Sequence, residues 1–299
     1  MKESGPISTF EAWILAARPR TIPASVAPVA VGTAAAYHDG ALAVLPALAA
    51  LAVSMLLQVG VNLANDYFDY AGGIDSPDRL GPTRVTQSGL IEPGRVKAGM
   101  ACVFCLAALM GLYLVFVGGV PILLAGIASI AAALAYSGGP YPLASHGLGD
   151  LFVFIFFGLV AVGGTYYVQA LSLTPMALLV AVPPGLLITA ILVVNNLRDI
   201  HTDRRSGKRT LAVILGAGGS RAEYAILLAA AYAAVLLIWI LGPYGLWVLL
   251  PFISCIMAFR TLRIVLKESG RVLNEALAKT AGLALVFSLL FSLGIVLSA

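Results

Sequence analysis

The chain has 299 residues, of which 60% are hydrophobic and 11% charged, and its mean hydropathy is +0.97. Water-soluble domains carry about 25% charged residues, so 14 acids and 18 bases are too few to cover a soluble globule of this length. The composition excludes a soluble domain, a disordered chain and a disulfide scaffold, and it predicts an all-α polytopic membrane protein.

Apolar runs long enough to cross a bilayer recur along the chain, since a membrane helix needs about 20 mostly apolar residues. Before the first run, Ser8 and Glu11 have the spacing of a capping box, which predicts a short interfacial helix over 9–17. We then predict nine transmembrane helices around a central cavity. They cover about 22–37, 42–65, 97–117, 120–137, 151–171, 175–197, 221–241, 244–260 and 277–298.

The charged residues are sorted between the two ends of these spans. With nine alternating spans, all 18 Lys and Arg residues lie on the same side as the N-terminus. The positive-inside rule therefore predicts a plasma-membrane (cell inner membrane) protein with a cytoplasmic N-terminus and a C-terminus on the far side. Every acid except Asp39 falls on that cytoplasmic side as well. This sorting accounts for the net charge of +4, so we expect no nucleic-acid partner.

Two polar clusters lie at the cytoplasmic ends of even-numbered spans, where charged groups are costly unless they serve a function. Spacings of three and four residues bring the members of each cluster onto one helix face. The first acidic face consists of Asn62, Asn65, Asp66 and Asp69. The second acidic face consists of Asn195, Asn196, Asp199 and Asp203. Their matching positions predict two similar four-helix halves followed by a ninth helix.

The residue types in these faces indicate a site for a hard metal ion. Oxygen ligands from Asp and Asn, without His or Cys, suit Mg²⁺, which prefers one or two carboxylates together with substrate phosphates. Neighbouring bases would complete a diphosphate site. They are Arg84, Arg198, Lys208, Arg209 and, in the loop after the first face, Arg79. An apolar cavity beside such a site implies a lipid diphosphate as substrate.

Several motifs give the chain a recognisable resemblance. The stretch Asn65-Asp66-Tyr67-Phe68-Asp69, the later Asp199-x-x-x-Asp203 and the nine-span layout resemble the UbiA-type intramembrane aromatic prenyltransferases. Further segments are similar to the branch that uses 1,4-dihydroxy-2-naphthoate as acceptor in menaquinone biosynthesis. These segments are 18–23, 62–67, 81–84, 136–140, 147–150, 163–169 and 195–200.

The resemblance implies a mechanism and a single domain over 1–299, with active-site loops at about 66–96 and 198–220. Asp66, Asp69, Asp199 and Asp203, helped by Asn65, would hold Mg²⁺ on a polyprenyl diphosphate and act as the catalytic residues. The departing diphosphate would leave an allylic carbocation, which the naphthoate ring attacks. Loss of carbon dioxide then gives demethylmenaquinol.

The chain departs from the family pattern at two places. Gly73 occupies the usual position of the last Asp in the first motif, so Asp75 or Asp78 would have to serve. Tyr136 is followed four residues later by Pro140 instead of the Lys that many relatives carry. Residues expected near the aromatic acceptor are Arg20, Asn62, Asn195, Asn196, Tyr136, Tyr141, Asp150, Tyr166 and Gln169.

Two alternative functions remain open at the level of sequence. The first is prenyl transfer to another aromatic acceptor, such as 4-hydroxybenzoate or homogentisate. The second is a membrane transporter with an acidic ion site, for which Pro183-Pro184 inside the sixth span would be the helix break. A transporter needs polar residues near the middle of the membrane, whereas the acids here lie at span ends on one side.

Overall fold

A computed structural model describes residues 7–74 and 80–299, and within those ranges the chain contains no β-strand. The all-α prediction is therefore confirmed for the described part of the chain. The helices are α1 Thr9–Ala17, α2 Pro23–His38, α3 Val44–Ala71, α4 Pro93–Gly118, α5 Val120–Ser137, α6 Gly149–Ala170, α7 Pro175–Arg205, α8 Leu211–Leu241, α9 Leu246–Lys267 and α10 Gly270–Val296.

Eight of these helices, α3 to α10, are long and apolar enough to span a membrane. They correspond to eight of the nine predicted spans. The remaining predicted span, 22–37, corresponds to α2, which has 16 residues and is shorter than the roughly 20 that a bilayer core requires. The first and second acidic faces lie within the long helices α3 and α7, both of which extend past the predicted span ends.

The short helix α1 begins with the capping box that the sequence predicts. The Ser8 hydroxyl accepts a hydrogen bond from the Glu11 N–H at 3.3 Å, and the Ser8 N–H donates to the Glu11 carboxylate at 2.8 Å. The hydrogen bond from the Ser8 backbone N–H lowers the pKa of the exposed Glu11 the most, and the bond from the Ser8 hydroxyl lowers it further. The box fixes where the helix starts, directly before the first long element.

Tight connections and helix irregularities explain several boundaries. α4 and α5 are joined by Gly119 alone, whose φ of 68° and ψ of −155° lie in a region that only glycine occupies readily. α6 contains the π-helical stretch Phe154–Val160. α9 starts as a 3₁₀ segment, Leu246–Ser254, before continuing as Cys255–Lys267.

The helices are unevenly packed. In the most apolar window of α7, 67% of residues are buried, compared with 6% for α5 and 17% for α3. α7 is therefore the central helix, with α8 and α10 packed along it. α6 approaches α7 closely where Gly158 meets Gly185, since a Cβ on Gly185 would lie 2.9 Å from the Gly158 Cα. Bulkier residues there would force the two helices apart.

The segment after the first acidic face packs into a small core of its own. Val85, Ile91 and Val96 are buried against Ala12 and Ala16 of α1. This packing brings the loop between α3 and α4 back over the end of α3. Residues that are separated in sequence, such as Asp66 and the loop 84–91, therefore lie together.

Candidate active site

A cavity of about 530 Å³ lies among helices α2 to α7, a volume typical of small-molecule sites. Most of its wall is apolar, with side chains such as Val53, Leu57, Ile130, Phe152 and Ile188. The charged groups and amides that the sequence singles out converge on it. The predicted site residues on its wall are Asn62, Asn65, Asp69, Arg84, Tyr136, Asn195, Asn196, Asp199, Asp203 and Lys208.

Asp69 on α3 is bound by two cations that come from different parts of the chain. One carboxylate oxygen accepts from Arg84 Nη2 at 2.7 Å, and the other accepts from Lys208 Nζ at 3.1 Å. The side chains of Asp69 and Arg84 are each 5% exposed, and that of Lys208 is 15% exposed. Lys208 follows the second acidic face, so this ion pair joins the two motifs directly.

Asp66, three residues before Asp69 on α3, has a different environment. Its two oxygens accept the backbone N–H groups of Val85 at 3.1 Å and Thr86 at 3.0 Å. The residue is 1% exposed and does not line the cavity. In this structure Asp66 therefore fixes the loop that carries Arg84, whereas Asp69 faces the cavity.

On the second acidic face, the negative charge of Asp199 is balanced by the adjacent Arg198. Arg198 binds Asp199 in a two-pronged pair, from Nε to Oδ1 at 2.9 Å and from Nη2 to Oδ2 at 2.5 Å. Nη2 also donates to Asn195 Oδ1 at 2.9 Å. Arg198 is 2% exposed and is not on the cavity wall. Asp199 and Asp203 do line the cavity.

The amides of the first face bind neighbouring elements. Asn65 Oδ1 accepts from the Ser137 hydroxyl at 2.7 Å, which ties α3 to the end of α5. Asn62 Nδ2 donates to the Ala17 carbonyl and to the Thr21 hydroxyl, both at 2.9 Å. Asn62 thus holds the chain that leads from α1 into α2, while both amides remain on the cavity wall.

Tyr136 and Asp150 lie next to each other at this end of the cavity. Tyr136 lines the wall, and its hydroxyl would be 3.3 Å from a Cβ added at Gly149, the residue before Asp150. Asp150 is 6% exposed and is not on the wall, and neither of its carboxylate oxygens has a hydrogen-bond partner among the described residues.

Other predicted site residues lie away from the cavity wall. Arg20 and Arg209 are exposed, and Tyr141 is exposed with its ring stacked on His146 at 3.6 Å between centroids. Tyr166 and Gln169 lie at the opposite end of α6 from Asp150. These last two side chains bind the α2–α3 connection and leave Thr165 and Val168 on the wall.

The α2–α3 connection is held by hydrogen bonds with the side chains of Tyr166 and Gln169. The Tyr166 hydroxyl donates to Asp39 at 2.6 Å, and Gln169 Oε1 accepts from the Ala43 N–H at 3.3 Å. Asp39 also pairs with the His38 ring at 2.9 Å. The polar stretch of α6 therefore has structural partners at the far end of the molecule.

One charged residue on the wall, Arg18, was not a candidate from the sequence. Arg18 lines the cavity, whereas Arg20, the base predicted from the sequence, is exposed. Arg18 ends α1 in a left-handed conformation with φ 52°, which is uncommon for a residue other than glycine. In the sequence, the two bases Arg18 and Arg20 before the first apolar run indicated a cation near the site, and only the backbone geometry shows which of them reaches the cavity.

Asp75, Asp78 and Arg79 lie outside the described residues.

The donor set fits a divalent ion that is completed by substrate. Within 7–74 and 80–299, no group of three or more His, Cys, Asp or Glu side chains is arranged to hold a metal by itself. Mg²⁺ seldom takes an all-protein cage and is commonly bound by one or two carboxylates plus phosphate oxygens. Asp69 on α3 and Asp199 on α7 line the same cavity together with Arg84 and Lys208, and they match that requirement.

Comparison with known proteins gives consistent results for sequence and fold. Residues 25–297 match the model of the UbiA prenyltransferase family. The chain is 40% identical to a 1,4-dihydroxy-2-naphthoate octaprenyltransferase of Escherichia coli (strain K12), over 98% of this chain and 97% of that protein.

Solved structures with a similar fold are more distant in sequence. A UbiA homolog from Aeropyrum pernix K1 matches with a TM-score of 0.72 at 18% identity, covering 94% of this chain and 98% of that one. A UbiA homolog from Archaeoglobus fulgidus bound to DMAPP and Mg²⁺ matches with a TM-score of 0.63 at 13% identity, covering 94% and 99%. At these identities the likeness concerns the fold.

Proposed function

Because the chain belongs to the UbiA prenyltransferase family, we propose that it transfers a polyprenyl group from a polyprenyl diphosphate to 1,4-dihydroxy-2-naphthoate. The observation that carries the proposal is that Asp69, Asp199, Arg84 and Lys208 all line one mostly apolar cavity. Such a site has both a charged end for a diphosphate and an apolar wall for its tail. The relative with 40% identity is named for this acceptor.

The diphosphate would bind between the two acidic faces. Arg84 and Lys208 are the cations of the predicted set on the wall, and they would donate charge-assisted hydrogen bonds to phosphate oxygens. Asn65, Asp69, Asp199 and Asp203 would supply oxygen ligands to Mg²⁺. When bound, the ion would supply Lewis-acid stabilisation of the leaving diphosphate. Asp66 would act indirectly, by holding the loop that carries Arg84. To bind Mg²⁺ itself, as the sequence predicts, Asp66 would have to give up its hydrogen bonds to Val85 and Thr86.

Ionisation of the allylic diphosphate is the step that this end of the cavity would favour. Arg84 and Lys208 would place positive charge where negative charge develops on the leaving group. The apolar wall, including Phe152 and Ile130, would exclude water that could quench the carbocation. The same wall would hold the first isoprene units, and α5, whose most apolar window is only 6% buried, would allow the rest of the tail to reach lipid.

The naphthoate ring would approach from the wall near Tyr136 and the amides of Asn195 and Asn196. Its electron-rich carbon would attack the carbocation, carbon dioxide would be lost and demethylmenaquinol would result. Asp150 follows Gly149, which adjoins the Tyr136 hydroxyl, and is itself buried off the wall. Arg18 is the wall cation nearest in sequence to the predicted Arg20, so we propose it as a partner for the carboxylate of the acceptor.

We also propose the orientation and organisation that the sequence predicts. The N-terminus and the charged end of the cavity would face the cytoplasm, because all 18 Lys and Arg residues sort to that side when α2 is counted as a ninth span. α1 would lie in the interface. The matching positions of the acidic faces on α3 and α7 support two four-helix halves within a single domain.

The direct test is an assay of the purified chain in lipid vesicles with a labelled polyprenyl diphosphate. We expect labelled product with 1,4-dihydroxy-2-naphthoate, and none once EDTA removes Mg²⁺. Asp69→Asn should lose activity, while the control Glu92→Gln, in an exposed ion pair with Arg95, should retain it. Product with only 4-hydroxybenzoate or homogentisate would overturn the choice of acceptor. No product with any acceptor would favour a transporter.

A further inference from the structure

Asn274, near the N-terminus of α10, connects the two acidic faces through hydrogen bonds. Its Oδ1 accepts from Arg198 Nη1 at 2.8 Å, and its Nδ2 donates to the Leu80 carbonyl at 2.9 Å. Arg198 lies 76 residues from Asn274 in sequence, and Leu80 lies 194 residues away. No motif in the sequence points to this residue.

The chemistry of its partners fixes the orientation of the Asn274 amide. A guanidinium only donates hydrogen bonds and a backbone carbonyl only accepts them. The side chain must therefore present its oxygen to Arg198 and its nitrogen to Leu80, and no flipped amide satisfies both. An aspartate at this position keeps the acceptor and loses the donor, while a leucine of similar size loses both.

The contacts on either side of Asn274 extend to the cavity wall. On one side, Arg198 also donates hydrogen bonds to Asp199 and Asn195 on the second acidic face. Leu80 is the first residue described after Ile74, and the segment from it leads to Arg84, which binds Asp69 at 2.7 Å. One turn along α10, Leu277 lines the cavity itself.

We infer that Asn274 is a positioning residue that sets the distance between the second acidic face and the segment 80–91, which carries Arg84. The inference rests on the proposed function in that both faces serve one diphosphate. The Lys208–Asp69 pair at 3.1 Å also joins the two faces, but it uses groups that would bind substrate. Asn274 holds the backbone and is not on the wall, so it keeps the spacing when substrate displaces the wall ion pairs.

The variants Asn274→Asp and Asn274→Leu separate the two hydrogen bonds, and Glu275→Gln is a matched control. Glu275 is the next residue on α10 and makes an exposed pair with Lys279. In the full-length protein in detergent, amide hydrogen exchange over 80–91 should accelerate in both Asn274 variants and not in the control. Equal exchange rates in Asn274→Asp and the parent chain would overturn the inference.

The kinetic arm distinguishes positioning from a purely structural role. In Asn274→Asp we expect the KM for the polyprenyl diphosphate to rise about tenfold, as for other groups that orient a metal or phosphate site, with the KM for the naphthoate unchanged. An unchanged diphosphate KM, or equal rises in both constants, would contradict positioning. Failure of the proposed function has a different signature, because the unsubstituted chain would then yield no product while the exchange arm still reports on Asn274.

Discussion

The two acidic faces are alike in sequence, yet their carboxylates are held in different ways. On the first face, Asp69 is bound by Arg84 and Lys208, which lie 15 and 139 residues away. On the second face, Asp199 is bound by Arg198, the residue before it. Asp69 thus depends on tertiary structure for its partners, whereas Asp199 has its partner on the same turn of helix.

The difference indicates a division of labour between fixed and exchangeable charge. Arg198 is fully buried, off the wall and hydrogen-bonded to three side chains, so we expect it to remain with Asp199 when a ligand binds. Arg84 and Lys208 line the cavity, and under the proposed function both would bind a phosphate in place of Asp69. The first face would then be the part that responds to substrate, and the second face would be its rigid counterpart.

The largest effect is expected where fixed charge is removed. Arg198→Met leaves the nearly buried Asp199 carboxylate without its ion partner, which costs about 3–5 kcal/mol of stability for pairs of this kind. Arg84→Met should cost less, because Lys208 still binds Asp69. The measurement is the thermal midpoint of each variant in the same detergent. Equal losses for the two variants would contradict the distinction between the faces.

A smaller effect on folding is expected at Asp66, and it separates the loop role from the metal role. Asp66→Asn keeps one acceptor oxygen, so one of the Val85 and Thr86 N–H groups loses its partner, at a cost of about 1–3 kcal/mol. The Mg²⁺ concentration for half-maximal activity should stay near that of the parent chain. A large increase in that concentration without loss of stability would identify Asp66 as a ligand, as the sequence alone predicts.

The smallest effects are expected among the bases that follow the second face. Lys208→Gln removes a wall cation that binds Asp69, and we expect about a tenfold higher KM for the diphosphate, equivalent to about 1.4 kcal/mol. Arg209→Gln changes an exposed side chain off the wall, so its KM should remain within about twofold. Steady-state kinetics of the two variants measure the KM for the diphosphate. A larger increase in Arg209→Gln than in Lys208→Gln would show that Arg209 is the base that binds the diphosphate.

Much of the fold could be predicted because lipid imposes strong constraints on sequence. Apolar runs correspond to α3 through α10, and the spacing of Ser8 and Glu11 predicts the start of α1. The bounds of α2, Pro23–His38, agree with the predicted 22–37 to within one residue, but its 16 residues are fewer than the roughly 20 that a bilayer core requires.

The candidate site could be predicted in composition but not in detail. Helical periodicity places Asp66 and Asp69 on roughly the same face, yet the fold of the loop 84–91 buries Asp66 and leaves Asp69 on the wall. Sequence spacing likewise does not distinguish Arg18 from Arg20, or Lys208 from Arg209. Asn274 carries no motif, and its role depends on the packing of α10 against α7.

The central claim is that both acidic faces act on one Mg²⁺–diphosphate. The most direct test is a double-mutant cycle on Mg²⁺-dependent binding of geranylgeranyl diphosphate, with Asp69→Asn, Asp199→Asn and the double variant. We predict that each single change weakens binding at least tenfold and that the double variant binds about as weakly as either single variant, because groups in one network couple strongly. An unchanged affinity in either single variant would show that this face does not act on the diphosphate and would contradict the account.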